Sequence, residues 1–206
     1  MLTPGLDRER RLWARGCLAV AGLDEAGRGA WAGPVVAAAV ILPPRQRNLL
    51  RALKGVRDSK TLSPAQRERL EPVIRANALA VGVGLASARY IDAHGIIAAT
   101  RLAMEMAAFN LGVLPDHLLI DALRLPGLPV AQTALAHGDG LVLSIAAASI
   151  VAKVHRDRLM VGLGVSYPAY GFVSHKGYGT AAHRQALLQC GPCREHRLSF
   201  APLRAR

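Results

Sequence analysis

A chain of 206 residues, 51% of them hydrophobic, can bury a substantial core and has the length of one ordinary domain, so a single domain over residues 1–206 is expected. The 26 Lys and Arg against 14 Asp and Glu leave a formal charge of +12, which points to a polyanionic partner, nucleic acid first. Aromatic residues at 4% exclude a broad base-stacking platform and favour recognition of a duplex through its backbone.

The positive charge is regional. Residues 45–75 carry nine Lys or Arg against three acids, and residues 151–206 carry nine against two. Three cysteines, Cys17, Cys190 and Cys193, make an odd count that argues against a disulfide framework. Cys190-Gly191-Pro192-Cys193 lacks a preceding strand pattern and a second such pair, so it reads as a loop with ordinary thiols; His183 and His196 nearby leave a fortuitous metal site open. The uncharged run at residues 30–44 is interrupted by Gly33-Pro34 and is too short to span a bilayer, and no apolar block follows the N-terminal arginines. A cytoplasmic protein without a membrane segment is expected, with no extended tail beyond Phe200 for partner recruitment.

In chain order, a basic arm leads into a short apolar strand at residues 17–22, which delivers Asp24 and Glu25 at its C-terminal end. Residues 35–42, dense in Val and Ala and stopped by Pro43-Pro44, form a second strand. Residues 79–86, with Gly82 and Gly84 alternating, form a third that pairs with the second as a meander. Ser63-Pro64 is an N-cap followed by proline at the first helical position, opening a helix to about residue 76. Apolar residues Ile96, Ile97, Leu102, Met104, Met106 and Phe109 predict a longer amphipathic helix over 91–110. The run at 117–121 repeats the pattern of an apolar strand ending in an acid, Asp121. A further strand at 130–136 precedes Asp139 in a Gly-Asp-Gly turn, and the alanine-rich stretch at 143–159 reads as a tightly packed helix. This order predicts an α/β layered fold with a mixed central sheet flanked by helices and a small helical C-terminal portion. Residues 167–180 read as the functional loop.

Leu23-Asp24-Glu25-Ala26-Gly27-Arg28-Gly29 carries the chemistry. Carboxylate oxygens suit hard ions such as Mg²⁺ or Mn²⁺, and the glycines let backbone N–H groups approach an anionic ligand. Successive side chains of a strand point to opposite faces, so the strand must bend or end at these residues if Asp24 and Glu25 are to share a metal. Taken alone the dipeptide reads equally well as soluble turn residues. Asp121 and Asp139, also beside strand ends, change the balance. Four acids brought together repel one another unless a cation neutralises them. Two divalent ions roughly 3.5–4 Å apart would clamp a scissile phosphate, one activating water and the other stabilising the leaving oxygen.

At this point the chain resembles the ribonuclease HII family, the type 2 ribonucleases H. The resemblance rests on Asp24-Glu25-Ala26-Gly27-Arg28-Gly29 with Ala32-Gly33-Pro34-Val35-Val36, on Asp58-Ser59-Lys60 with Leu62-Ser63, and on Leu119-Ile120-Asp121. It continues through Gly138-Asp139, the run from Ile145 to Lys153 with Arg156-Asp157, His175-Lys176-Gly177-Tyr178-Gly179-Thr180, His196-Arg197 and Ser199-Phe200. These segments stand in family order and span roughly residues 17–203.

The resemblance implies a ribonuclease H-like fold and a metal-dependent endoribonuclease. It would hydrolyse the RNA strand of RNA–DNA hybrids and cut 5′ of single ribonucleotides embedded in duplex DNA, leaving 3′-hydroxyl and 5′-phosphate ends. It places Asp24, Glu25, Asp121 and Asp139 as the catalytic, Mn²⁺- or Mg²⁺-binding acids. It gives Gly27, Arg28 and Gly29 the reading of the ribonucleotide, whose 2′-hydroxyl is the group that separates RNA from DNA locally. Tyr178 matches the tyrosine that packs on the adjoining deoxyribose, although from its residue type alone a structural aromatic is equally consistent. Lys60, Lys153 and Arg156 fit phosphate neutralisation or, as basic residues on helix faces commonly are, solvated charge; Asp157 reads as structural support. A monomer acting on hybrid and ribonucleotide-containing duplexes is expected. Ala122, Gly140-Leu141, Thr61 and Tyr90 depart from the family pattern, and every acidic ligand remains.

Overall fold

The computed structural model describes residues 3–204; Met1, Leu2, Ala205 and Arg206, the last counted above in the C-terminal basic stretch, lie outside the described residues. The strands are β1 (Val20–Ala26), β2 (Val35–Ile41), β3 (Ala80–Ala86), β4 (His117–Asp121) and β5 (Ala131–Leu135). They form one sheet in the order β3-β2-β1-β4-β5. The β1–β2 and β2–β3 pairs are antiparallel, as a meander requires, and β1–β4 and β4–β5 are parallel, so the sheet is mixed. The helices are α1 (Asp7–Trp13), α2 (Leu49–Ala52), α3 (Pro64–Asn77), α4 (Ala88–Phe109), α5 (Leu143–Ser166), α6 (Phe172–His175) and α7 (Ala181–Cys190).

Strand β2, Val-Val-Ala-Ala-Ala-Val-Ile, lies between β3 and β1 and is buried at every position because both of its faces are covered. Ala37, Ala39 and Ile41 pack with Ile91, Ala103 and Met104 of α4, whereas Ala38 and Val40 pack with Leu70 and Ile74 of α3 and the alanine-rich part of α5. Gly82 and Gly84 let α4 lie directly on β3: a Cβ there would stand 2.0 Å from the Ala107 carbonyl and 2.2 Å from that of Ala103. Helix α3 starts as its sequence dictates. The Gln66 N–H donates to Ser63 Oγ at 3.2 Å while the Ser63 N–H donates to Gln66 Oε1 at 2.8 Å, a reciprocal cap with proline next to it.

Several expectations need correction. The first strand runs on through both acids to Ala26 instead of stopping at residue 22, because β2 offers Ala38, Ala37 and Val36 as antiparallel partners to Asp24, Glu25 and Ala26. The basic arm contains α1, which is docked by Glu9: its buried Oε1 accepts the Ser144 N–H at 2.9 Å, at the start of a helix whose own N-cap, Val142, has no polar side chain. Helix α5 continues to Ser166, beyond residue 159, because Met160 and Leu163 pack with Tyr170 and Phe172 of the C-terminal portion. Helix α4 is interrupted at Gly95, which sits at φ 80°. The stretch 167–180 holds a single turn at Pro168–Tyr170 and α6 as well as irregular chain. No helix among the described residues is long and apolar enough to cross a membrane.

Candidate active site

On the β2 side, β1 stays paired through Ala26, but its parallel pairing with β4 ends at Leu23 opposite Ile120. One edge of the strand is therefore open at the level of the acids, and Asp121 ends β4 beside that opening. Gly22 faces α5, where a Cβ would meet the Ser144 carbonyl carbon at 2.3 Å, and strand alternation puts Asp24 on the same face. Glu25 lies on the other side of the pleat. Even so, Asp24, Glu25, Gly27, Arg28, Gly29, Lys60, Asp121, Lys153 and Tyr178 line one cavity of about 510 Å³. Asp139 adjoins it through Lys60, whose Nζ lies 3.5 Å from Asp139 Oδ2.

The turn after β1 is fixed from behind. Gly27 has φ 93°, and a Cβ on it would lie 1.9 Å from Arg156 Nε. Arg156 is fully buried: its Nε, Nη1 and Nη2 donate to the carbonyls of Pro34, Lys176 and Ala32 at 2.9, 3.0 and 3.0 Å. Its assignment to phosphate neutralisation is thereby corrected, since every nitrogen is occupied and none faces the cavity; Arg156 braces the glycine turn. Arg197 does the same from the C-terminal segment, donating to the Gly33 carbonyl from Nε and Nη2 and to the Arg28 carbonyl from Nη1 at 2.8 Å. Burial first, and then the charge of Arg156, push Arg197 down to about 9. Gly29 is exposed, with nothing within 4 Å of a Cβ built on it, so its lack of a side chain leaves open space on the cavity side.

The basic residues divide by exposure. Lys60 is 78% exposed and remains available to a ligand, while Lys153 is tied to Asp157 at 2.6 Å. Asp157 also faces Arg67 at 3.6 Å, in line with a supporting role. Tyr178 is half-buried, with Lys153 Nζ and Arg156 Cζ each 5.2 Å from its ring centroid. Arg28 reaches back to Glu25 Oε1 at 3.1 Å.

Negative charge is left uncompensated. Burial, then Glu25, then Asp121 hold the Asp24 carboxyl well above the usual carboxylate range. Burial also raises Glu25, against the pull of Arg28. Asp139 is raised by burial and by Asp58, with Lys60 opposing. Glu25 Oε2 is buried without a hydrogen-bond partner, an orphan acceptor at the cavity. Hard oxygen donors, mutual repulsion and an unpaired carboxylate oxygen fit a divalent cation. Among the described residues, no three His, Cys, Asp or Glu side chains close around one point tightly enough to hold an ion unaided, and this covers Cys193, His183 and His196 as well as the acids.

Two residues escaped the sequence reading. Ser149 on α5 hydrogen-bonds Asp24 and lies 2.7 Å from Ser59 Oγ, tying the acid to the turn that carries Lys60. Asp58 caps that turn, its Oδ1 accepting the Lys60 N–H at 2.9 Å. A serine inside an alanine run was the available signal for the first; the second stood in a quoted motif without a role.

A mixed sheet with acids at the ends of its adjacent strands β1 and β4, a glycine turn and a strongly basic composition define a metal-dependent nuclease. The family model for ribonuclease HII matches residues 21–203. The chain is 57% identical over 200 residues to the ribonuclease HII of Roseiflexus castenholzii, covering 97% of this chain and 89% of that protein. It is 54% identical over 202 residues to that of Chloroflexus aurantiacus, covering 98% and 95%. The crystal structure of ribonuclease H2 from Pyrococcus horikoshii matches with a TM-score of 0.75 at 27% identity, covering 90% of this chain and 95% of that one. The chain belongs to the ribonuclease HII family, metal-dependent endoribonucleases that degrade the RNA of RNA–DNA hybrids.

Proposed function

We propose that the protein also cuts duplex DNA on the 5′ side of a single embedded ribonucleotide, leaving 3′-hydroxyl and 5′-phosphate ends, with Asp24, Glu25, Asp121 and Asp139 as its catalytic, metal-binding residues. The observation that carries this reading is the meeting of Asp24, Glu25, Asp121, the Gly27-Arg28-Gly29 turn and Tyr178 around one cavity, with Asp139 adjoining it through Lys60. When bound, Mg²⁺ or Mn²⁺ ions supply a two-ion clamp that activates water and stabilises the leaving oxygen. Asp24, Glu25 and Asp121 at the cavity, with Asp139 adjoining, would hold the ions.

The residues themselves orient the duplex. Open backbone at Gly29 admits the ribose, whose 2′-hydroxyl meets the main chain of the turn held rigid by Arg156 and Arg197. Tyr178 packs on the next deoxyribose, and Lys60 and Lys153 border the phosphates. Arg28 keeps Glu25 turned toward the cavity. The sheet and both of its covered faces act as one domain, working as a monomer. The test is a DNA duplex carrying one ribonucleotide beside an all-DNA control. Cleavage confined to the 5′ side of that ribonucleotide is expected; equal cutting of the control defeats the reading.

A further inference from the structure

Behind Tyr178 lies a buried group of imidazoles that the reaction does not use. His183 and His196 are 0% and 2% exposed. His183 Nδ1 lies 3.0 Å from the Tyr178 carbonyl, which only accepts, so this nitrogen carries the proton. Neutral His183 then has a bare Nε2, and it accepts from His196 Nε2–H at 3.0 Å. His196 Nδ1 in turn is bare and accepts the Cys193 N–H at 3.0 Å. The Cys193 carbonyl also lies 3.3 Å from His196 Nδ1, but a proton there would leave two bare Nε2 atoms facing each other at 3.0 Å, so His196 carries its proton on Nε2 and the chain of hydrogen bonds runs one way, from the C-terminal segment to the main chain of Tyr178.

His175 holds the residue before it. Its ring stacks on His183 with centroids 4.4 Å apart, its Nδ1 accepts the Gly177 N–H at 3.2 Å, and its Nε2–H donates to the Tyr170 carbonyl at 2.7 Å. Two stacked imidazoles therefore hold the main chain on both sides of Tyr178, His175 at the Gly177 N–H and His183 at the Tyr178 carbonyl. Burial, and for His196 the adjoining His183, lower both pKa values, His196 to about 4, which keeps the pair neutral in neutral solution. A second proton on His183 would set N–H against N–H and break the chain.

We propose that His183, locked in one tautomer by His196, is a positioning residue for Tyr178 and sets how well the enzyme distinguishes a ribonucleotide–DNA junction from continuous RNA. This rests on the role given to Tyr178 above. The discriminating experiment measures kcat/KM on the single-ribonucleotide duplex and on an RNA–DNA hybrid for wild type, His183→Ala, Tyr178→Ala and the double variant, with urea midpoints for each. Losing the His183 hydrogen bond, which leaves the Tyr178 carbonyl held only by the Thr180 N–H at 2.9 Å, lowers cleavage of the single-ribonucleotide duplex by about tenfold. The hybrid, which presents a ribose to Tyr178 in any case, loses less. In the Tyr178→Ala background His183→Ala adds nothing, because it acts through that ring. His183→Asn, whose amide N–H takes the place of Nδ1–H, restores the selectivity. Should His183→Ala not fold, His183→Gln replaces it: its longer amide reaches the His196 side and withdraws the hydrogen bond to the Tyr178 carbonyl, so the same split is expected. Equal losses on both substrates, or losses that multiply with Tyr178→Ala, overturn the inference while the Tyr178 reading stands. If Tyr178→Ala itself spares the single-ribonucleotide duplex, the reading of Tyr178 is what has failed, and the inference fails with it.

Discussion

Gly27 and Gly29 stand two residues apart in one turn, yet the structure requires them for different reasons, and alanine at each separates those reasons. At Gly27 the φ of 93° costs an L-residue about 1–2 kcal/mol. The added Cβ would also lie 1.9 Å from Arg156 Nε and 2.4 Å from its Cδ, so the guanidinium must move. That group is packed on three carbonyls, and losing even one of these charge-assisted bonds costs about 1.5–3 kcal/mol. Gly27→Ala is therefore expected to lower stability by about 3–5 kcal/mol, a large share of the 5–15 kcal/mol typical of a domain. At Gly29 no atom lies within 4 Å of the new methyl and φ is outside the left-handed region, so Gly29→Ala changes stability by less than about 0.5 kcal/mol. Its cost falls on substrate approach, as a reduced kcat/KM on the single-ribonucleotide duplex. Urea unfolding in the absence of metal measures the first effect, and steady-state cleavage the second. A Gly27→Ala protein within about 1 kcal/mol of wild type at unchanged slope would refute the bracing argument.

Asp24→Asn is expected to lower turnover by roughly three orders of magnitude, because a metal ligand contributes several kcal/mol of transition-state stabilisation. In EDTA the same variant should melt no lower than wild type, since it removes a buried charge that faces Glu25 and Asp121; Mn²⁺ should raise the melting temperature of wild type more than that of the variant, and a variant destabilised in EDTA contradicts the electrostatics. Lys60→Met, at an exposed cation, should leave stability unchanged and reduce the salt slope of duplex binding by about 0.9 in log–log form. Arg156→Met should unfold at a markedly lower urea concentration, as it strands three carbonyls at about 1–3 kcal/mol each; equal stability of the two variants would contradict their assignment. His196, faced by His183, His175 and Cys193, has its pKa depressed from 6.5 to about 4, so the unfolded chain takes up its proton first as pH falls. Its contribution to stability is intact above pH 6.5 and is lost between there and about pH 4, to the extent of about 3 kcal/mol. Urea midpoints of wild type minus His196→Asn across that window should show the decline, and a flat difference would sink it.

The strand-end positions of Asp24, Glu25 and Asp121 were legible because each stands at the close of a short apolar run, whereas Asp139 follows the mixed run Ala-Gln-Thr-Ala-Leu. The Ser63 cap and the meander of β2 and β3 were legible for a similar reason: cap, proline and alternating glycine are local signals. Arg156 was not. It stands three residues after Lys153 on one helix, and nothing in residue type separates a cation facing the cavity from one buried on carbonyls, because backbone acceptors leave no mark in a sequence. The end of β1 was misplaced for the complementary reason. Polar residues usually close a buried strand, but pairing with a neighbour as apolar as β2 carries the ladder two acids further. Helix α1 escaped because its one buried anchor, Glu9, is a charged residue whose partner is the Ser144 N–H far along the chain.

The misreading of Arg156 has its physical origin in where the protein spends its positive charge. Arg156 and Arg197 are sealed inside with carbonyl partners and no carboxylate in hydrogen-bond contact. Such placement is costly in desolvation, and it is tolerated because each guanidinium presents a planar fork that fixes several loop carbonyls at once. Had those cations been directed at Asp24 and Asp121, they would have neutralised the site and left no demand for a metal. Among the described residues, only Arg28 and Lys60 pair with these acids, Arg28 with Glu25 at 3.1 Å and Lys60 with Asp139 at 3.5 Å, and both are partly or largely exposed. The local negative potential thus survives within a molecule of net charge +12. The exposed basic residues draw in the polyanion over distances that salt screens, whereas the acids act within contact range, where salt screens little. Raising ionic strength should therefore weaken duplex capture well before it weakens divalent-cation binding, a separation that only this division of charge produces.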